Sequence, residues 1–271
     1  MAQAMTEPQA LRQALCACLR RAVAEIFVAP PEVQAKGQDG LDLVTSLDLA
    51  MQARLTADLA ALLPGSVVTG EEDYAAADPA CRHVWLVDPL DGTVNFVAGL
   101  PAYAVAVVLL EAGRPVLAAV HDIAHDRTWS ALAGGGAFLD DAPLRPRAHA
   151  ARLGVLSSGL LADLAARAPG ALGQILAGAK LRNLGSQALH LCHAASGHLG
   201  FVASREARAW DDLAGALIAQ EAGLVYGRYA PGPAPRAEAE QFSLCAPPGQ
   251  FDTLASLLAA SCPPQDRSPA A

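Results

Sequence analysis

A chain of 271 residues with 53% hydrophobic content can bury a large core, as one domain or as two fused lobes. Its formal charge of −8 argues against a generic nucleic-acid binder. Six cysteines, at 16, 18, 81, 192, 245 and 262, show neither C-x-x-C nor zinc spacing, and the start carries Glu7 and no apolar signal core, so reduced, partly buried thiols in a cytoplasmic protein are expected.

Leu11, Leu15, Leu19, Val23 and Phe27 recur at four-residue spacing and predict an amphipathic first helix, stopped by Pro30-Pro31. The polar stretch 33–40, carrying Lys36, reads as a loop. Residues 42–48, Asp-Leu-Val-Thr-Ser-Leu-Asp, lead into a second helix with Leu47, Met51 and Leu55 on one face, and Asp48 there has the ordinary reading of a helix cap. A short strand over 66–69 ends in Gly70-Glu71-Glu72, a carboxylate pair that a solvated turn would also explain.

The most informative stretch is Trp85-Leu-Val-Asp88-Pro-Leu-Asp91-Gly-Thr93-Val-Asn95-Phe96. A strand over 84–87 meets Asp-Pro, which turns the chain out of it, and Gly92-Thr93 opens the next turn or helix with free backbone N–H groups. Oxygen ligands and anion donors would meet there, as a hard-metal and phosphate site requires. An Asp-rich turn closed by Asx hydrogen bonds is the plainer alternative.

The apolar region 103–120 is broken by Glu111-Ala-Gly113-Arg114-Pro115 and predicts a hairpin, not a membrane span. Strands over 128–132 and 137–139 flank Gly134-Gly135-Gly136, a tight turn lacking the Gly-Lys-Ser/Thr ending of a P-loop. A strand over 152–158, a helix over 160–177 interrupted at Pro169-Gly170, a strand over 180–184 ending at Gly185-Ser186, and a helix over 188–196 follow. Residues 210–223 predict a helix with Asp211 at or near its N-cap and Gly223 at its end. The stretch 227–239 reads as a Pro/Gly-rich loop and 261–271 as a frayed tail.

Asp48, Glu71, the D-x-x-D-G-T core and Asp211 thus all stand at strand or helix ends. Two unit charges about 4 Å apart repel by about 4 kcal/mol at an effective dielectric near 20, so a converging set needs cations. Oxygen-only ligands select Mg²⁺, Mn²⁺ or Ca²⁺ over zinc. A histidine metal site at His190 and His193, or at His121 and His125, lacks the H-x-x-x-H or E-x-x-H pattern. The D-x-x-D spacing is not the D-x-D of haloacid-dehalogenase phosphatases, and Gly99 fills the twelfth position where a calcium loop needs Glu.

These residues carry a resemblance to the inositol monophosphatase family of Mg²⁺-dependent, lithium-sensitive phosphatases. Residues 85–96 are similar to its W-x-x-D-P-(I/L)-D-G-T-x-N-F signature, and 210–223 resembles its second, which begins W-D and ends E-A-G. The resemblance implies an α+β fold, a layered α-β-α-β-α sandwich, in a single domain over 1–271 with lobes near 1–150 and 151–260. It implies Glu71, Asp88 and the Leu90 carbonyl on a first cation, and Asp88, Asp91 and Asp211 on a second, with two or three Mg²⁺ in all and Mn²⁺ as a substitute. Thr93, supported by Asp48, would orient water, and Gly92 and Thr93 would offer N–H groups to the phosphate. The implied reaction is direct in-line attack of metal-activated water on a small phosphate monoester, without a phospho-enzyme, in a homodimer that binds neither nucleic acid nor membrane.

Substrate identity is less determined. Where some relatives place an acidic residue seven positions before the Asp of W-D, this chain has Ser204, followed by Arg205, Glu206 and Arg208. Glu206 is a candidate for sugar hydroxyls. An arginine there is a candidate for an anionic group, unless both are solvated. Histidinol phosphate, a 3′-nucleotide and fructose bisphosphate are alternatives to an inositol phosphate, and a non-catalytic binding relative is the alternative from another class.

Overall fold

The computed structural model describes residues 7–28, 31–36, 42–75, 81–147, 152–231 and 236–262. The chain runs α1 (Pro8–Ile26), β1 (Val33–Lys36), β2 (Asp42–Thr45), α2 (Ser46–Leu62), β3 (Val67–Gly70), β4 (His83–Asp91), α3 (Thr93–Ala98), β5 (Ala104–Glu111), β6 (Arg114–Asp122), β7 (Arg127–Leu132), β8 (Gly136–Leu139) and β9 (Ala142–Pro143). It continues through β10 (Leu153–Leu156), α4 (Ser158–Arg167), α5 (Pro169–Gly178), β11 (Lys180–Leu181), α6 (Gln187–Ala195), β12 (Phe201–Ser204), α7 (Ala209–Glu221), β13 (Val225–Arg228), β14 (Ser243–Ala246) and α8 (Pro248–Ala259).

Side-chain alternation along the strands builds the layers. The seven-stranded sheet has the order β3-β4-β5-β6-β7-β8-β9, and the five-stranded sheet β11-β10-β12-β14-β13. On one face of the large sheet, Trp85, Val87, Val105, Val107 and Leu109 pack with Leu15 and Leu19 of α1 and Met51 and Leu55 of α2. The opposite set, Leu86, Ala104, Ala106 and Val108, packs with α6 and α7, and Val155, Val202 and Cys245 of the small sheet close that core from its other side. On the small sheet's outer face Leu156, Phe201 and Leu244 meet Leu160, Ile175 and Leu254 of α4, α5 and α8. This is the α-β-α-β-α sandwich, with α6 and α7 as the shared middle layer.

Several expectations need correction. Residues 33–36, read as loop, form β1 against β2, with Gln34 opposite Val44, while 37–40 lie outside the described residues. Polar composition hid a strand whose partner lies beyond a connection. The strand expected over 84–87 runs on to Asp91: the register shifts between Asp88 and Asp91, and a proline lacking an N–H fits such a bulge. The helix over 160–177 is two helices, because Pro169 starts α5 in the first turn. The strands expected over 152–158 and 180–184 shrink to Leu153–Leu156 and Lys180–Leu181. Gly227 and Arg228, assigned to a loop, belong to β13, and β14 and α8 had no expectation at all. Ser261 is not frayed: it is buried, with its hydroxyl on the Leu258 carbonyl, while 263–271 lie outside the described residues.

The 103–120 hairpin is β5 and β6, turning through Ala112 and Gly113 at positive φ (48° and 76°). Among the described residues no helix is long and apolar enough to cross a membrane. All six cysteines are free thiols.

Candidate active site

The bulge at the end of β4 brings both its aspartates to one cleft, but only Asp88 joins the converging carboxylates, while the Asp91 oxygens turn to the start of α6. Asp88 is buried and accepts the Leu90 N–H on Oδ1 at 3.0 Å, while Gly92 takes a left-handed conformation (φ 94°) to start α3. A Cβ at Gly92 would stand 2.8 Å from the Ala102 carbonyl oxygen, so a close backbone approach as well as φ demands glycine. Glu71, one residue beyond β3, arrives because β3 lies parallel to β4. Asp211 arrives from the first turn of α7, third in the helix and not its N-cap, with Oδ2 accepting the Arg208 N–H at 2.7 Å. Glu71, Asp88 and Asp211 each offer an oxygen within 4.8 Å of the others, the one group among the described residues suited to hold a metal ion.

Their electrostatics follow from that crowding. Burial first, then the charges of Glu71, Asp91 and Asp211, pushes the Asp88 carboxyl well above its ordinary range. Asp211 is raised likewise by burial and then by Asp91, against the Arg208 N–H, which favours its charged form. Asp91 is pushed up by burial to about 6, opposed by bonds from Ser186, Ala188 and Gln187. The Ser186 hydroxyl donates to Asp91 Oδ2 at 2.5 Å, and the N–H groups of Ala188 and Gln187 donate at 2.7 and 3.2 Å. Asp91 thus belongs to the acidic cleft while its own oxygens cap the start of α6.

Beside the carboxylates, the Thr93 hydroxyl lies 3.1 Å from Asp48 Oδ1 and 2.9 Å from the Leu90 carbonyl. Asp48 Oδ2 accepts the N–H and the hydroxyl of Thr45 at 2.8 and 2.5 Å, and Thr45 caps α2 in return. Asp48 therefore caps a helix and contacts Thr93 at the same time.

A cleft of about 690 Å³ unites Glu71, Asp88, Leu90, Asp91, Gly92, Thr93 and Asp211, and Arg205, Glu206, Arg208 and Glu240 line it too. Arg205 is held by Asp163 at 2.8 Å and Glu240 at 3.4 Å. Glu206 accepts from the Ser157 hydroxyl and the Gly159 N–H at the start of α4. Ser204 is buried and accepts the Ala207 N–H, outside the cleft lining. A second cavity, about 310 Å³ and mostly apolar, lies near His83 and Leu11 at the opposite end of β4, away from this chemistry.

Ser186, Gln187 and Ala188 were missed as site residues. Gly185-Ser186 ahead of a helix was the available signal, since serine there is a favoured cap. Among the described residues no histidine joins a metal-holding group: the His190 Nε2 accepts the Leu184 N–H at 2.8 Å, and His121 Nδ1 is engaged by the Thr128 hydroxyl.

A family model described as the inositol monophosphatase family matches residues 7–262. The chain is 39% identical over 194 residues to inositol-1-monophosphatase SuhB of Mycobacterium tuberculosis, covering 67% of each chain. It is 32% identical over 187 residues to the Nus factor SuhB of Pasteurella multocida, covering 67% of this chain and 70% of that one. In fold it matches a solved IMPase/NADP phosphatase complexed with Mg²⁺ and phosphate, with TM-score 0.77 and 20% identity over 92% of this chain and 95% of the other.

Proposed function

We propose a Mg²⁺-dependent hydrolase of small phosphate monoesters, from the premise that the chain belongs to the inositol monophosphatase family, a family of phosphatases. The observation that carries the finer reading is the meeting of Glu71, Asp88 and Asp211 beside the Thr93–Asp48 pair. An oxygen-only donor set in which the Asp88 and Asp211 carboxyls hold protons above their ordinary range fits a hard divalent cation, which would relieve the repulsion. Glu71, Asp88 and the Leu90 carbonyl would hold one ion, and Asp88, Asp91 and Asp211 another. When bound, the cations supply Lewis acidity to the attacking water and neutralise charge on the phosphoryl and leaving oxygens.

The protein's part is positioning. A hydroxyl has one proton, so Thr93 donates either to Asp48 or to the Leu90 carbonyl; with that carbonyl committed elsewhere, the proton goes to Asp48. The Thr93 oxygen is then an acceptor that can orient a water. The N–H groups of Gly92 and Thr93 are offered to the phosphate. A binding scaffold would gain nothing from clustered, mutually repelling carboxyls, and this favours the enzyme over a non-catalytic relative.

The relative's name makes inositol phosphates natural substrates to try, but Ser204 stands outside the cleft lining and Glu206 is engaged by Ser157 and Gly159, which weakens the case for inositol hydroxyls there. Lithium inhibition, a cytoplasmic location and a homodimer belong to the same proposal; exposed Val97 and Leu100 beside α3 supply apolar surface for a second copy. The test is phosphate release from inositol 1-phosphate, histidinol phosphate, a 3′-nucleotide and fructose bisphosphate, with Mg²⁺ and with excess chelator. Release that needs Mg²⁺ is expected; no release from any ester, or full activity in chelator, would overturn the reading.

A further inference from the structure

We propose that Arg208 selects phosphate monoesters whose alcohol portion carries a second anionic group, a sugar bisphosphate being the simplest. The proposal rests on the phosphatase reading of the same cleft and adds the class of substrate.

Four charged side chains besides the acidic cluster line the same cleft: Arg205, Glu206, Arg208 and Glu240. Three are already committed. Arg205 bridges Asp163 and Glu240, and Glu206 takes the Ser157 hydroxyl and the Gly159 N–H. The Arg208 guanidinium has no hydrogen bond or ion pair with any described residue, although the cleft around it is rich in carboxylates. Its main chain is fixed, because the Arg208 N–H is held by Asp211 at 2.7 Å. The anchor point is therefore set by a carboxylate of the acidic cluster itself, while five N–H donors stay available.

The charge balance decides what those donors are for. Glu71, Asp88, Asp91 and Asp211 supply the negative charge that cations and the reacting phosphate would meet. Arg208 lies outside that set but in the same cleft, where it would meet the remainder of the substrate. A planar guanidinium pairs bidentately with phosphate or carboxylate, and its rigid fork loses little freedom per hydrogen bond formed. A neutral polyol alcohol would leave it unpaired.

Steady-state kinetics of wild type, Arg208→Ala and Arg208→Lys with fructose 1,6-bisphosphate and fructose 1-phosphate test this. In wild type the bisphosphate is expected to have the higher kcat/KM. Arg208→Ala should raise its KM about ten- to a hundredfold, the loss expected for a charged hydrogen bond, with kcat and the monophosphate constants within about twofold. Arg208→Lys should fall between, keeping charge without the fork. Equal effects on both esters, or none on either, would overturn the proposal. Calorimetry of the Ca²⁺-loaded protein with the same two sugars reads the preference without turnover. If no ester is hydrolysed, the phosphatase reading fails, while tighter binding of the bisphosphate that Arg208→Ala abolishes would still support the arginine's role. Absence of that binding preference in wild type would sink it.

Discussion

The Thr93 hydroxyl meets Asp48 Oδ1 at 3.1 Å, joining the first residue of α3 to the third residue of α2 across 45 positions of sequence. Asp48 is not free to turn away, because its other oxygen is fixed by the Thr45 N–H and hydroxyl. A helix cap thus sets the direction in which Thr93 can give its proton. The same cap exposes the Thr93 oxygen toward the acidic cleft.

Removing that hydroxyl should therefore hurt chemistry more than binding. Thr93→Ala is expected to lower kcat by about 10²–10⁴-fold, the range for a positioned proton-transfer partner, with KM within a few-fold. Thr93→Ser should restore most of the rate, since it returns the hydroxyl. Asp48→Asn should lose rate and about 1 kcal/mol of stability, because the capping box loses a charged acceptor. Steady-state kinetics with a thermal melt measure both, and an unimpaired Thr93→Ala would remove the pair from the mechanism.

Asp91→Asn has two consequences where sequence alone foresees one. The loss of charge should abolish most turnover and the stabilisation that Mg²⁺ confers on melting. The structure adds a folding cost: Asp91 accepts from Ser186, Gln187 and Ala188, and an amide has one oxygen where the carboxylate has two. A drop of about 1–3 kcal/mol is expected for the stranded buried donors. Near wild-type activity at limiting Mg²⁺ would contradict the assignment; an unchanged melt would contradict the α6 contact.

What sequence made legible was local. The apolar run before Asp88 and the Gly-Thr after Asp91 marked a ligand-rich turn, and four-residue spacing marked α1. The partners of those residues were not legible, because they arrive through pairing over long separations: Ser186 lies 95 positions from Asp91, and Ser157 lies 49 from Glu206. Glu206 read as a free carboxylate for the same reason, since nothing nearby in sequence shows that it caps α4. Strand ends failed where tertiary packing overrode local punctuation, as at Pro89, which a bulge accommodates.

Arg205 should behave as a clamp and not as a reader of substrate. Its bonds to Asp163 and Glu240 tie the chain after β12 to α4 and to the segment before β14. These pairs are partly exposed, so Arg205→Ala should cost about 1 kcal/mol. Any change in catalytic efficiency should be equal for esters with and without a second charge. A selective loss for the doubly charged ester would instead place Arg205 in recognition.

His190 predicts a pH dependence of stability. Burial, and then His193, hold its pKa down to about 4, against an ordinary 6.5, and the neutral Nε2 accepts the Leu184 N–H at 2.8 Å. Between those values the unfolded chain binds more protons at this site than the native one, so stability rises with pH. The contribution is complete above pH 6.5 and is lost as pH falls toward 4, with a span on the order of 3 kcal/mol. Asp91 and Asp212, both raised to about 6, work in the opposite direction over part of the window, so the raw profile mixes signs. A double difference separates them: urea unfolding at pH 4.5 and pH 7 for wild type and His190→Gln. The aspartates contribute alike to both proteins, and the variant should lose less stability on acidification. Because Leu184 leads into Gly185-Ser186, whose hydroxyl reaches Asp91, acid should also loosen that contact in wild type. An acid sensitivity identical in the two proteins would show that His190 binds its proton alike in the native and unfolded chains, and would remove it from the pH dependence.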